Sequence, residues 1–345
     1  MRRLSGKSSV AARAALMSGL ACAFVWWPLA PSRAQTNVRP TATEASASIL
    51  LTAVDKGQKF VTTLAPEDLR VKEDGEARAL TGLRRQSDLP LFLAVLVDTS
   101  VSQERVLEGA KLAADEFVKR IMRPGADKAA VVSFSKETTL EQEMTGDAAL
   151  VRKGIAHVKL NVPPGYVPGG VVVAGSTRLP VNVGGWTALW DAVWVVSDEV
   201  LGRSLGTGRR ALVVITDGED TGSRVKLDEA VRNALQSETV VYAVGIGDNK
   251  YNGVNKGALR KIAERTGGRA FFPKQIGDLP YIFEQIQGEL LSQYVLTFST
   301  PNARPDGSHH ELKVELVNPS LLKQGVQIAY PHGYFAGSTS NSIKN

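Results

Sequence analysis

An aspartate and two serines stand at alternate positions, Asp98, Ser100 and Ser102, directly after the apolar run Leu91–Val97. Oxygen-bearing side chains at a strand end either cap the next helix or hold a hard cation. Ser100 and Gln103 have the S-x-x-Q spacing of a capping box. Two other stretches place similar groups in similar surroundings. Asp217 follows the apolar run "ALVVIT" and opens a D-G turn. Thr187 precedes "ALWDAVWVV", where a helix N-cap would stand. If these segments end on one edge of one sheet, two carboxylates and three hydroxyls converge. That all-oxygen set suits an octahedral divalent ion that keeps some water, Mg2+ or Mn2+. With only two formal negative charges around it, the ion stays net positive and keeps an open position. An acidic group of a partner can fill that position.

Other chemistries find less support. G-x-S-x-G, H-E-x-x-H and the phosphate-binding P-loop are missing from the sequence. The four histidines, His157, His309, His310 and His332, lie away from the three stretches, so a metal-assisted hydrolase would lack a general base. The protein is therefore expected not to be an enzyme. Trp186, Trp190 and Trp194 recur every four residues, as on a packed helix face. Asp191 is expected to orient the Thr187 loop, Glu219 and Asp220 to be solvated turn acids, and His309 with His310 to form an exposed loop pair.

The elements that must position these residues follow from periodicity. From residue 91 onward apolar strands alternate with helical stripes: 91–98, 128–135, 209–216 and 239–247 as strands, with helices near 103–122, 147–158, 228–236, 256–265 and 278–292. The segment 138–145 suits a hairpin partner for 128–135. Such alternation implies an α/β fold, doubly wound, with a mostly parallel sheet and helices on both faces. Strand-like runs at 48–85 and after 292 bracket this region, including "KFVTTL" and "VQIAYPHGYF". Each group is too small to stand alone, so they are expected to form one smaller discontinuous β module. The expected divisions are 1–34, 35–90, 91–290 and 291–345. Residues 161–185, rich in Pro, Gly and Val, are long for a connection and stand out as a functional loop or a plain edge hairpin.

Residues 1–34 have a basic start, an apolar run and a Ser32-Arg33-Ala34 ending, the layout of a secretory signal peptide. The segment holds five basic and no acidic residues, so its removal leaves 36 against 35, a net charge of +1 instead of +6. The basic balance then says nothing for nucleic acid. Cys22, the single cysteine, is lost with the segment, which excludes disulfides and thiolate sites. Location outside the cytoplasm, secreted or in the periplasm or envelope, is expected, with no membrane span after cleavage.

"DTSVS", the threonine of "GGWTAL" and the aspartate of "ITDGED" resemble, in order and context, the metal-ion-dependent adhesion site of the von Willebrand factor A domain family, over about 91–290. The flanks "FVTTLAPEDLRVKEDG", "LLSQYVLTFST" and "HGYF" resemble the exported bacterial von Willebrand A-related proteins common in acidobacteria. The resemblance implies that Ser100, Ser102 and Thr187 touch the metal directly and that Asp98 and Asp217 act largely through bound water. It implies an adhesion module that captures a carboxylate of a protein ligand. An assembly factor for an envelope complex would use the same site.

Overall fold

The computed structural model describes residues 45–85, 89–167, 171–174, 177–180, 187–202, 206–247, 253–302 and 306–337. The signal-peptide segment, Cys22 and Trp186 lie outside these residues. In chain order the strands and helices are β1 (Ala45–Val54), β2 (Leu69–Glu73), β3 (Glu76–Arg78), β4 (Leu80–Arg85), β5 (Leu91–Asp98), α1 (Leu107–Ile121), β6 (Lys128–Phe134), β7 (Thr138–Thr145) and α2 (Ala148–His157). They continue with β8 (Tyr166–Val167), β9 (Val171–Ala174), β10 (Thr177–Pro180), α3 (Leu189–Val195), β11 (Arg209–Thr216), α4 (Leu227–Gln236), β12 (Thr239–Gly245) and α5 (Lys256–Arg265). The remainder is β13 (Ala270–Phe271), α6 (Leu279–Leu291), β14 (Tyr294–Thr300), β15 (His309–Leu316), α7 (Pro319–Lys323), β16 (Gln327–Ala329) and β17 (Gly333–Phe335).

The central sheet has the order β13-β12-β11-β5-β6-β7. All its neighbours run parallel except β7, which returns antiparallel on β6. Strands buried on both faces read as unbroken apolar runs, which is why β5 is apolar from Leu91 to Val97 and β11 from Ala211 to Ile215. Side-chain alternation divides them between two cores. Leu93, Val95 and Val97 share one core with residues of α1, α2 and α6. Phe92, Ala94 and Leu96 share the other with α3, α4 and α5. Each buried Val, Leu or Phe among them contributes roughly 1.5–3 kcal/mol. A charge at wholly buried Val95 would break the sheet at its centre.

Helix α1 shows how the sequence sets this up. Ala110, Ala113, Ala114, Phe117, Val118 and Ile121 recur on one face and are buried. Lys119 and Arg120 sit in its last turn, favourable to the helix dipole, and Met122 is already extended before Pro124. Asp127 then fastens the turn into β6. Its Oδ1 accepts from the Leu91 backbone at 2.8 Å and its Oδ2 from the Arg123 backbone at 2.9 Å. The Arg123 guanidinium and these amides hold its carboxyl below the usual range against burial, the largest influence, which pushes it up.

The chain leaves β5 for β6 on one side and later enters β11 on the other. The carboxyl ends of β5 and β11 therefore flank a topological switch point, where doubly wound folds bind ligands. Register places Val97 opposite Ile215 and Asp98 opposite Phe134.

Strands from both chain ends interleave. One antiparallel sheet has the order β16-β1-β14-β4 and another β17-β15-β2-β3. β1 is paired with β14 and β16, both from the C-terminal flank. Leu51, Val71, Leu296, Phe298 and Val314 share a third core there. Some expectations shift in detail. The "KFVTTL" run makes one bridge, Val54 to Phe60, and no strand: Val61 N–H donates to the Ala53 carbonyl, and beyond it the Val61 carbonyl and Leu64 N–H turn to the Tyr294 hydroxyl. The "VQIAYPHGYF" run splits into β16 and β17 around Pro331. Strands β8, β9 and β10 form a three-stranded antiparallel ribbon of order β10-β9-β8. His309 and His310 open β15 instead of a loop.

Candidate functional site

Asp98 ends β5 with 1% of its surface exposed, and Asp217 follows β11 with 3%. Ser100 N–H donates to Asp98 Oδ1 at 2.9 Å, and Thr216 Oγ1–H donates to Asp98 Oδ2 at 2.6 Å. Ser100 Oγ and Ser102 Oγ lie 2.9 Å apart. Ser100 begins a 3-10 turn, Val101–Gln103, without a side-chain cap. The capping-box alternative is therefore not made, and the hydroxyl turns to Ser102 instead. Ser102 and Gln103 both act on the Asp217 carboxylate, whose Oδ1 also accepts from Glu219 N–H at 3.0 Å. Four of the five sequence-selected residues are thus gathered in one cluster.

Thr187 is held at the same sheet edge by its backbone. Its N–H donates to Thr221 Oγ1 at 3.0 Å, and its carbonyl accepts from Thr221 and Gly222 at 2.9 and 3.0 Å. Ala188 N–H donates to the Ser135 carbonyl, just past β6, at 2.7 Å. Thr187 is not the N-cap; α3 starts at Leu189 after Ala188. The cap comes from across the loop. Asp220 Oδ1 accepts from Leu189 N–H at 3.0 Å, and Ser223 Oγ accepts from Trp190 N–H at 2.9 Å. Asp220 is half-buried and structural, so the solvated-turn expectation for it is corrected. Asp191 Oδ1 accepts from Arg224 and Val225 N–H at 3.0 and 2.8 Å, which ties α3 to the Asp217 loop. Trp190 is buried in the sheet core and Trp194 is half-buried.

Glycines allow the close approach. Gly218 has φ +81°, and a Cβ there would stand 2.7 Å from Leu259 Cγ. A Cβ on Gly247 would meet Asp217 Cβ at 2.7 Å.

The electrostatics are those of uncompensated negative charge. Burial, then the neighbouring Asp217 carboxylate, push Asp98 up to about 7, against hydrogen bonds from Thr216 and Ser100. Burial raises Asp217 against the Ser102 hydroxyl, the Glu219 amide and the Gln103 side chain. Burial and Asp217 also raise Glu219. Among the described residues neither Asp98 nor Asp217 has an ion-pair partner. Gln103 is buried, 2% exposed. Among the described residues no three His, Cys, Asp or Glu side chains cluster as a metal site. The available donors are two carboxylates with hydroxyls, a set that fits a hard divalent cation and supplies the positive charge these carboxylates lack.

Sequence reasoning missed Thr216 and Ser223 and gave Gln103 and Asp220 other roles, a capping box and a solvated turn. Thr216 had a signal, a hydroxyl after the apolar run Ala211–Ile215 and one residue before Asp217. Ser223 and the capping role of Asp220 had none, because their partners are distant in sequence.

Residues 177–285 match the von Willebrand factor type A domain. The match covers β10 to β13 and α3 to α6, and β5, which ends at Asp98, pairs into the same central sheet from outside the matched stretch. Similar solved structures include proximal thread matrix protein 1 from the mussel byssus, 17% identical over 64% of this chain and 51% of that one, TM-score 0.49. The same mussel protein with a zinc-occupied MIDAS motif is 18% identical over 62% and 48%, TM-score 0.48. A von Willebrand factor type A protein from Catenulispora acidiphila is 10% identical over 86% and 74%, TM-score 0.47. The chain spans about half the length of the mussel protein. No curated protein matched it.

Proposed function

We propose that the protein is a metal-dependent protein-binding or adhesion module whose ion is held by Asp98, Ser100, Ser102, Thr187 and Asp217. The observation that carries this reading is the buried Asp98–Asp217 pair beside two hydroxyls, without an ion-pair partner among the described residues, at the switch point of the sheet. Two buried carboxylates lacking a cation cost free energy that a divalent ion offsets. Mg2+ or Mn2+ suits the oxygen set, and when bound it supplies an open electrophilic position for a partner's carboxylate. The chain's own residues then act as follows. Thr216 and the Ser100 amide hold Asp98 in place, and the Glu219 amide holds Asp217. Asp220, Ser223 and Asp191 keep the Thr187 segment against the Asp217 loop.

Asn161, five residues before β8, is tied to this edge: its N–H donates to the Thr99 carbonyl at 2.8 Å and its Nδ2 to Ser135 Oγ at 2.6 Å. The ribbon that follows it is our candidate for a second contact with a protein ligand. We read the module as non-enzymatic and exported, by the signal-like segment 1–34. Among the described residues no helix is long and apolar enough to cross a membrane. An assembly factor for an envelope complex would use the same chemistry, and partner identity separates the two.

Asp217→Ala tests the reading. It should abolish Mg2+ and Mn2+ binding in isothermal titration while costing the fold no more than about 1 kcal/mol. In EDTA the variant should melt at or above wild type, because the repulsion with Asp98 is gone. Wild-type protein with no metal-dependent melting shift, or a variant that binds as wild type does, would overturn it. Pull-down of envelope proteins with Mg2+ and again with EDTA then identifies the ligand.

A further inference from the structure

The basic residues of α5 fall into two groups. Lys261 and Arg265 both pair with Asp228, Lys261 Nζ at 2.9 Å. Lys256 and Arg260, exposed and one turn apart, have no acidic partner among the described residues. Both lie instead over the ring of half-buried Phe272, Lys256 Nζ at 5.6 Å and Arg260 Cζ at 5.1 Å from its centroid. The ring attracts each cation but leaves its charge unneutralised. The placement also works against the helix. Lys256 is its first residue, no acid stands in its first turn, and positive charge at a helix N-terminus opposes the dipole. Like charges at i and i+4 repel each other as well. The pair stands at the sheet edge that holds Asp98 and Asp217. Asn255 N–H, one residue before Lys256, donates to the Asp217 carbonyl at 2.8 Å. A Cβ on Gly247 would meet Asp217 Cβ at 2.7 Å, and one on Gly245 would meet Phe272 Cδ1 at 2.7 Å, so the end of β12 is wedged between the two. Register agrees, with Gly245 opposite Thr216 and Phe271 opposite Val244. Two strand spacings separate β11 from β13, which puts the cations about 10–15 Å from Asp217. They lie across the metal cluster from Asn161, which is tied to the β5 and β6 ends.

We propose that Lys256 and Arg260, carried on Phe272, form a second acid-binding subsite, so that the ligand is an acidic protein segment with two carboxylates, one at the metal and one on this pair. The inference rests on the metal-site reading above and names the class of partner. Four residues of extended chain span about 13 Å and bring the side chain back to the same face. A second Asp or Glu four positions from the first therefore reaches the cations while the first fills the open metal position. The ring restricts both long side chains beforehand, which lowers the entropy lost when an acid binds. An arriving carboxylate also relieves the charge that the start of α5 carries unpaired. The ion and the two cations, side by side on one edge, steer acidic segments towards it.

The test uses labelled Gly/Ser peptides, blocked at both ends, with either one glutamate or two glutamates four positions apart. Binding is read by fluorescence anisotropy in Mg2+ and in EDTA, and Mg2+ itself is titrated calorimetrically. Wild type in Mg2+ should bind the two-glutamate peptide about fivefold more tightly than the one-glutamate peptide. The double variant Lys256→Gln, Arg260→Gln changes exposed side chains only. It should bind the one-glutamate peptide as wild type does and lose the preference for the second acid. Lys119→Gln with Arg120→Gln makes the same charge change in the last turn of α1 and should keep the preference. Equal binding of both peptides by wild type overturns the inference, as does a preference that survives in the Lys256 and Arg260 variant. Loss of the preference in the α1 variant too would mark overall charge and overturn it. Undiminished binding of the two-glutamate peptide in EDTA would mark an anion patch independent of the metal and also overturn it. A wild type that binds Mg2+ but neither peptide overturns carboxylate capture and this subsite while leaving the metal site standing. A wild type that ignores Mg2+ removes the site reading and this inference together.

Discussion

At the scale of single residues, the candidate site is governed by carboxylates placed where their charge has no partner. Thr216 shows how tightly this is organised. Its hydroxyl donates to Asp98 Oδ2 at 2.6 Å and accepts from Gly218 N–H at 3.0 Å. Thr216→Val keeps the shape and removes both bonds, one of them charge-assisted. We expect a loss of about 1–3 kcal/mol in denaturant titration and weaker metal binding, since Asp98 is then free to turn. Unchanged stability would mean that the carboxylate finds another donor. Within the sequence, Asp98, Ser100, Ser102 and Asp217 were legible because strand-end oxygens stand out against apolar runs. Gln103 was legible only as half of a capping box that the structure does not form.

At the scale of elements, the site depends on how α3 is docked. Helix α3 lacks a cap of its own and borrows Asp220 and Ser223 from the loop after β11. One set of bonds therefore fixes both the helix start and the path of Thr187. Asp220→Ala should cost about 1 kcal/mol, the usual worth of a cap, and should speed amide exchange at Leu189, Trp190 and Asp191 in particular. Protection unchanged at those three amides would refute the borrowed cap. Gly218→Ala acts on the same loop from its other end. Its φ of +81° and the 2.7 Å approach to Leu259 leave no room for a methyl group, so we expect a loss of stability and of metal binding together. The sequence showed the D-G turn but not the helix packed against it.

At the scale of the whole molecule, the flanks are one structure with two ends. Both strands paired with β1 come from the C-terminal flank, with Ala47 opposite Phe298 and Thr52 opposite Ala329. Removing residues 45–85 would strip β14 of both its neighbours and expose Leu296 and Phe298. We expect the shortened chain to lose the C-terminal strands to limited proteolysis, with the α/β region cut later. Survival of a folded 91–337 fragment with its terminal strands protected would disprove the interdependence. The junction also carries a buried acid. Glu289 is 0% exposed, contacts Arg269, and is pushed by burial up to about 7, against Arg269. Arg269 also reaches Gln58 in the N-terminal flank. A carboxyl whose folded value lies above its ordinary 4.5 favours the fold fully below that ordinary value and loses the advantage as pH rises towards 7. Wild type should therefore lose up to about 3 kcal/mol relative to Glu289→Gln between pH 4.5 and pH 8. Taking the difference cancels Asp98, which titrates in the same direction and range. Parallel pH profiles for the two proteins would dismiss the effect.

What the sequence by itself determined was local. Apolar runs of strand length, helical stripes and turn residues identified β5, β6, β11, β12, α1, α5 and α6, and put oxygens at the ends of two of those strands. These follow from periodicity and turn chemistry, which depend on residues a few positions apart. Tertiary structure alone decided which ends share an edge. That choice depends on the crossover from β5 to β6 and the later entry of β11 beside β5, through which Thr216 meets Asp98 across 118 positions of chain. It likewise decided that Asp220 caps a helix that precedes it, that β8, β9 and β10 form a ribbon, and that β1 lies against β14. Hydrogen bonding and burial between distant segments leave no periodic trace in a single sequence, because either partner taken alone is an ordinary polar or apolar residue.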